Sequence, residues 1–272
     1  QSTRARKAWS MTLKFVVLSD LHLVAPGATS KGIDTAGRLR DGVTAVNTRH
    51  SDAAFCVLAG DLADRGEIAA YKMLREILDG LTIPCHITIG NHDKRQRFLE
   101  AFPGLAAETG YIDKVIDADG QRVILLDSAI TDAPQGRLEA MQLDWLKRRL
   151  KEVWDKPVIV VLHHHANRLG TLVDRIRLEN GADLAAVLSQ HGGVRQVIAG
   201  HVHYTSTALW HGIPFTTIAG GHDGVTLGLG DLETDVHRIT GPAQMGVVVS
   251  DATQTLVHFD NYVDDHTRLV KP

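Results

Sequence analysis

Residues 56–64 read Cys-Val-Leu-Ala-Gly-Asp-Leu-Ala-Asp: an apolar run of strand length stops at a glycine and releases two carboxylates, Asp61 and Asp64. A short run this apolar suits a strand covered on both faces, and the glycine lets the chain bend sharply at its end. The same pattern recurs on either side. FVVLSDLH, residues 15–22, delivers Asp20 and His22, and HITIGNHD, residues 86–93, delivers Asn91, His92 and Asp93. Farther on, VIVVLHHH (158–165) ends in His163, His164 and His165, and QVIAGHVH (196–203) ends in His201 and His203.

Helical periodicity fills the intervals, over Leu39–Arg49, Glu67–Asp79, Gln142–Val153 and Asp183–Gln190, with a further strand at Val123–Leu126. Strands alternating with helices predict an α/β architecture with a buried sheet. Beyond residue 203, Thr205–Trp210, Phe215–Ala219, Gly246–Val249 and Thr255–Phe259 read as short strands joined by Gly-rich turns. They predict a second sheet packed on the first, a four-layer α-β-β-α sandwich. The loop 220–241 is expected to be a lid or interface element.

The 272 residues are 44% hydrophobic and 22% charged with net charge −3, enough apolar material for a full core and no basic excess for nucleic acid. No apolar stretch reaches the length of a membrane span. Residues 1–10 are polar and basic, without the apolar centre of a secretory signal, and are expected to be a leader outside the fold. Residues 11–272 are expected to be one domain, with 224–272 forming a subunit contact in a homo-oligomer. Cys56 and Cys85 sit in apolar runs and predict buried, reduced thiols, hence the cytoplasm. No stable nucleic-acid partner and no membrane association are expected.

Loops at the carboxyl ends of strands in an α/β sheet converge on one crevice, so the polar clusters should share a hollow. Asp, Asn and His without thiolates suit Fe, Mn, Zn or Co. Asp20, His22, Asp61, Asn91, His163, His201 and His203 are seven candidates, enough for two ions sharing one carboxylate. Two ions about 3.5–4 Å apart are a recurrent arrangement for phosphoester hydrolysis. Each piece alone has an ordinary reading: Gly-Asp after a strand is usually a turn, and Asp-x-His an unremarkable loop pair. Gly-Asn-His-Asp is expected by chance on the order of once in a thousand such chains. His-x-His sets two imidazoles on the same side of an extended segment. Asp64 is open between a cap and a supporting role. His50, His86, His191, His211, His237, His258 and His266 read as scattered structural or surface histidines.

Together, Asp20-x-His22, Gly60-Asp61, Gly90-Asn91-His92-Asp93, His163 and Gly200-His201-x-His203 resemble the signature of the calcineurin-like metallophosphoesterases. The segment Leu126–Leu146 is similar to one in the branch holding class III cyclic-nucleotide phosphodiesterases and glycerophosphodiesterases. The resemblance spans roughly Leu13 to His222. It implies two packed mixed sheets, a first metal on Asp20, His22 and His203, a second on Asn91, His163 and His201, and Asp61 bridging. It further implies that His92 faces the phosphate and leaving group, that Asp93 orients His92, and that a hydroxide bridging the ions is the nucleophile. This chain has His163-His164-His165-Ala166 where the family has His-His-Pro; position at the strand end selects His163, with His164 the alternative. His222 resembles a substrate-contacting histidine of the glycerophosphodiesterase type, its other reading being a surface loop. With Gly32-Ile33-Asp34 it points to small glycerophosphodiester-like substrates bound by Asn91, His92 and His222. 3′,5′-Cyclic nucleotides are the alternative, and a non-catalytic metal-bound scaffold the reading from another class.

Overall fold

The computed structural model describes residues 12–229 and 236–264; the expected leader 1–10 and His266 lie outside the described residues. In chain order the first strands are β1 (Leu13–Leu18), β2 (Phe55–Ala59), β3 (Cys85–Thr88), β4 (Lys114–Ala118), β5 (Gln121–Leu126), β6 (Val158–Leu162) and β7 (Val194–Ala199). They are followed by β8 (Ser206–Trp210), β9 (Ile213–Thr217), β10 (Gly224–Val225), β11 (Arg238–Ile239), β12 (Ala243–Ser250) and β13 (Thr255–Val263). The helices are α1 (Thr35–Arg49), α2 (Ile68–Leu78), α3 (Arg95–Ala101), α4 (Ala140–Lys151) and α5 (Gly181–Leu188).

One sheet has the order β13-β12-β1-β2-β3 and the other β4-β5-β6-β7-β9-β8. Both are mixed: β1-β2-β3 and β5-β6-β7-β9 run parallel, and the antiparallel strands are β12 and β13 in the first sheet and β4 and β8 in the second. Side chains alternate across each strand. Phe15, Val17, Val57, Val123, Leu125, Ile159 and Val161 fill the space between the sheets. Val16, Leu18, Cys56 and Leu58 point the other way, against Leu39 and Val46 of α1 and Tyr71 and Leu74 of α2. Val158, Val160 and Leu162 pack on Trp145 and Leu146 of α4 and Leu184 and Leu188 of α5. The predicted α-β-β-α sandwich is therefore present, and burial on both faces explains the unbroken apolar runs. Each fully buried Val, Leu or Ile contributes about 1.5–3 kcal/mol through burial.

The division between sheets differs from the sequence expectation. The strands beyond residue 203 do not form the second sheet by themselves: β8 and β9 finish the sheet of β4–β7, whereas β12 and β13 flank β1. Helix α1 begins at Thr35, four residues before the predicted start, because the Asp34 carboxylate accepts from the Gly37 N–H at 2.9 Å and caps it. Within the loop 220–241, β10 and β11 pair as a short hairpin. Cys56 and Cys85 stand opposite one another on β2 and β3, both free, Cys85 part-exposed.

Candidate dinuclear metal centre

The loops after β1, β2, β3, β6 and β7 meet at the same end of the two sheets and are tied to each other by their backbones. Leu21 N–H and His22 N–H both donate to Asp61 O, and Gly200 N–H donates to His163 O. The carboxylates are aimed by neighbouring amides: Asp20 accepts from His201 N–H at 3.1 Å through both oxygens, and Asp61 Oδ1 accepts from His92 N–H at 2.9 Å. All seven candidate donors come together. His22 Nε2 lies 3.5 Å from Asp61 Oδ2, and His203 Nε2 lies 3.5 Å from Asp20 Oδ1. On the other side of Asp61, His163 Nε2 is 3.3 Å from Asp61 Oδ2, 3.2 Å from Asn91 Oδ1 and 3.2 Å from His201 Nδ1.

The imidazoles themselves show what this pocket is built for. His22 Nδ1 meets Asp64 Oδ1 at 3.1 Å, and His203 Nδ1 donates to Asp223 O at 2.7 Å. His163 Nδ1 donates to Ala59 O at 2.9 Å, and His201 Nε2 donates to Ile176 O at 2.9 Å. An acceptor on the outer nitrogen places the ring proton there and turns a bare lone pair inward. His22 Nε2 and His203 Nε2 then face each other at 3.3 Å, as do His163 Nε2 and His201 Nδ1 at 3.2 Å. Buried lone pairs directed at one another repel unless cations lie among them. With Asp20 buried and Asp61 only 2% exposed, the donor set fits two cations that share Asp61.

Electrostatics agree with that arrangement. Burial pushes the Asp61 carboxyl upward, but the imidazoles of His163, His22 and His92 outweigh it and hold Asp61 well below the usual carboxylate range. Burial drives His22 down to about 4 despite Asp64. For His163 burial is overcome by Asp61 and Asp20, which lift it to about 9, so without an ion a proton on Nε2 takes the place beside Asp61 that a cation would fill.

The sequence matches the calcineurin-like phosphoesterase family model over residues 13–205. The chain belongs to that family. This phosphoesterase is 36% identical over 208 residues to a probable cyclic nucleotide phosphodiesterase of Rhodopseudomonas palustris, covering 75% of this chain and 76% of the relative. It is 29% identical to a probable glycerophosphodiester phosphodiesterase of Arcobacter nitrofigilis, over 79% of this chain and 80% of the relative. A dimetal phosphatase of Danio rerio superposes with a TM-score of 0.64 over 90% of this chain and 98% of that one, at 16% identity, a likeness of fold alone.

The candidate donor positions of the phosphoesterase carry strained backbone. Asp20, His22, Asp61, His201 and His203 all have positive φ, from 45° to 73°. For residues with a Cβ that conformation costs about 1 kcal/mol or more each. The glycines beside them are steric requirements of another kind: a Cβ on Gly90 would collide with Asp61, and one on Gly200 with Ser19.

His92 stands at the mouth, its side chain 41% exposed, with Nδ1 donating to Asp64 O at 2.7 Å and Nε2 3.9 Å from Asp61 Oδ2. A hollow of about 390 Å³ opens there, bounded by Asn91, His92, Asp64, Arg65, Lys94 and Asp132. The expectation that Asp93 orients His92 is corrected. Asp93 turns away and accepts from Leu62 N–H, Ala63 N–H, Gly90 N–H and the Tyr71 hydroxyl, pinning the β2 and β3 loops together. His92 is steadied instead by the Asp64 carbonyl. His222 is fully buried, not on a surface loop, with its ring 4.7 Å from that of His22 and Nδ1 2.6 Å from Asp223 Oδ1. Of the adjacent histidines, His163 faces Asp61 and Asn91, whereas His164 Nδ1 pairs with the Ser128 hydroxyl at 2.8 Å.

Two supporting residues lie outside the motifs, one an open reading and one without a sequence signal. Asp64, which the sequence leaves between a cap and a supporting role, serves His22 through its carboxylate and His92 through its carbonyl. Asp223, beside His222, has no motif of its own; it contacts His203, His222, Lys31 and Arg238, and against its burial His203, His222 and Arg238 hold it far below the usual range.

Proposed function

We propose that this chain is a two-metal phosphodiesterase that hydrolyses small phosphodiesters, the glycerophosphodiester kind foremost. The observation that carries the proposal is the set of four imidazoles whose outer nitrogens are engaged and whose inner lone pairs face one another around Asp61. Asp20, His22 and His203 would hold the first ion, Asn91, His163 and His201 the second, with Asp61 shared. Fe, Mn, Zn or Co suit these donors. Such a pair supplies positive charge against the phosphoryl oxygens and brings the pKa of coordinated water toward neutrality.

The chain's own groups account for the remaining demands. With Nδ1–H fixed on Asp64 O, His92 presents Nε2 to the hollow, where it can hold the proton the leaving oxygen requires. Asn91, its Oδ1 turned toward His163, keeps its amide nitrogen to donate to a phosphoryl oxygen. His222, behind His22, would position the substrate end of the first site. The cyclic-nucleotide name of the Rhodopseudomonas relative favours 3′,5′-cyclic nucleotides as a second substrate class.

We further propose that residues 11–272 act as one unit and pair with copies of themselves. The nine-residue β13 forms a sheet edge with Leu256 39% exposed, and Leu227, Leu229 and Ile239 are exposed on and beside the β10–β11 hairpin. A long edge and clustered apolar side chains favour association. Free cysteines facing each other favour the reducing cytoplasm. No helix of the described residues is long and apolar enough to cross a membrane.

Hydrolysis of bis(p-nitrophenyl) phosphate tests the function. Chelator-treated protein should be inactive and should regain turnover with Mn or Co. Failure of every metal to restore turnover would overturn the phosphodiesterase reading in favour of a scaffold.

A further inference from the structure

Away from the metal centre, two thiols meet across β2 and β3. Cys56 and Cys85 are register partners in the parallel ladder, and Cys56 N–H donates to Pro84 O at 2.8 Å, so the two residues are held side by side. Laterally paired residues of a sheet project to the same face, and both of these side chains join the apolar layer that packs on α1 and α2. Neighbouring strands lie about 4.8 Å apart, inside the Cα separation of about 4.4–6.8 Å that a disulfide spans. Contact with the Cys85 sulfur, reinforced by burial, pushes the Cys56 thiol well above the ordinary range.

The two thiols differ in access. Cys56 is fully buried, whereas Cys85 is part-exposed and lines a hollow of about 470 Å³ between β3, the end of α2 and the segment after α3. Arg75 and Leu78 border it on one side, Phe102 and Leu105 on another. A small oxidant entering that hollow meets Cys85, and Cys56 lies behind it. The strand that carries Cys85 is also free to adjust. β3 is four residues long, starts directly after Pro84 and is bonded to the sheet only through β2. A short edge strand of this kind can make the small shift that joining two sulfurs requires.

We infer that Cys85 and Cys56 form a hydroperoxide modification site, in which Cys85 takes the oxidant and Cys56 closes a cross-strand disulfide with it. In the first step the Cys85 sulfur attacks the hydroperoxide and the O–O bond breaks. Cys85 becomes a sulfenic acid, and the other oxygen leaves as water or alcohol. In the second step the Cys56 sulfur attacks the Cys85 sulfur, the S–O bond breaks, and the Cys56 proton departs with that oxygen as water. The two thiols together lose two hydrogens and two electrons, which reduce the hydroperoxide. A thiol reductant reverses the change by exchange. Such disulfides are transient in reducing compartments, which agrees with thiols that are free at rest. Closing the bridge also spares Cys85 from the sulfinic acid that thiols do not reverse. It fastens together the two strands that lead to Asp61 and Asn91.

The test treats the zinc-loaded full chain, whose ion has no redox chemistry of its own, with hydrogen peroxide and quenches it in denaturant containing N-ethylmaleimide. The intact mass should fall by two hydrogens with no maleimide added, and dithiothreitol should restore two maleimide-reactive thiols. Peptide mapping should place the bridge between Cys56 and Cys85 of one chain. Oxygen retained on Cys85 beside a reactive Cys56, a Cys85–Cys85 link between chains, or two untouched thiols would each overturn the site. Cys85→Ala, a change at a part-exposed position, reads the order of events. In that variant Cys56 should be oxidised roughly tenfold or more slowly than Cys85 of the parent, and equal rates overturn Cys85 as the residue attacked. Cys56→Ala should stop at a Cys85 sulfenic acid that dimedone traps, and a folded variant without that adduct counts against the site. Should Cys56→Ala fail to fold, the parent and Cys85→Ala decide the matter.

Discussion

At the scale of single residues, the division between holding ions and moving protons has separate signatures. His92→Ala should lower kcat on bis(p-nitrophenyl) phosphate by roughly 10²–10⁴-fold. Metal analysis after dialysis should still find both ions, because the His92 ring rests on the Asp64 carbonyl and the His92 backbone N–H that donates to Asp61 survives the substitution. Loss of an ion in that variant would place His92 among the ligands. Asp64→Ala is expected to do the opposite, weakening the first ion roughly 10–100-fold by freeing His22 Nδ1. Titration calorimetry with Mn resolves this; equal loss at both sites would show that Asp64 is a general support. Six of the seven candidate donors were legible once the short motifs at the ends of the apolar runs were taken together, since each motif alone has an ordinary reading. His163 needed its place at the strand end to be separated from two neighbours. The partners of Asp93 were not legible, since bonds to Leu62, Ala63 and Tyr71 depend on how two loops and α2 meet in space.

At the scale of elements, β3 carries a pH sensitivity remote from the metal centre. His86 is part-buried against Phe55, and burial, with some help from Lys114, depresses it from 6.5 to about 4. The unfolded chain therefore binds a proton that the folded chain refuses in that interval. Stability contributed by neutral His86 is fully present above about pH 6.5 and is lost as pH falls toward 4. Between pH 7 and 4.5 the urea midpoint of the parent should fall relative to that of His86→Gln, the variant having the shallower slope; parallel slopes would remove His86 from the account. Long apolar strands and amphipathic helices such as α2 could be read from the chain. The seven residues of α3 offered too few turns for periodicity, and β4, an edge strand with Asp117 inside it, lacked an apolar run. Which strands shared a sheet was likewise hidden, because β12 returns to β1 from more than two hundred residues away.

At the scale of the whole molecule, folding and ion binding are one equilibrium. The loops carrying the candidate donors come from both sheets, so ions held there would tie the sheets together in the folded state alone. Ion concentrations about a hundredfold above Kd should add about 2.7 kcal/mol, a rise in Tm of roughly 5–10 °C for a chain of this size. Calorimetric scans with and without Mn check this, and an unchanged Tm would mean that the cations do not bind the folded form preferentially. The twisted main chain at Asp20, His22, Asp61, His201 and His203 has a consequence for how such a protein can change. Glycine or asparagine would sit more comfortably at each of those points, so mutation toward a sturdier empty shell leads directly away from a working catalyst. A lineage that stopped needing the reaction would drift first at these five positions and keep its sandwich intact.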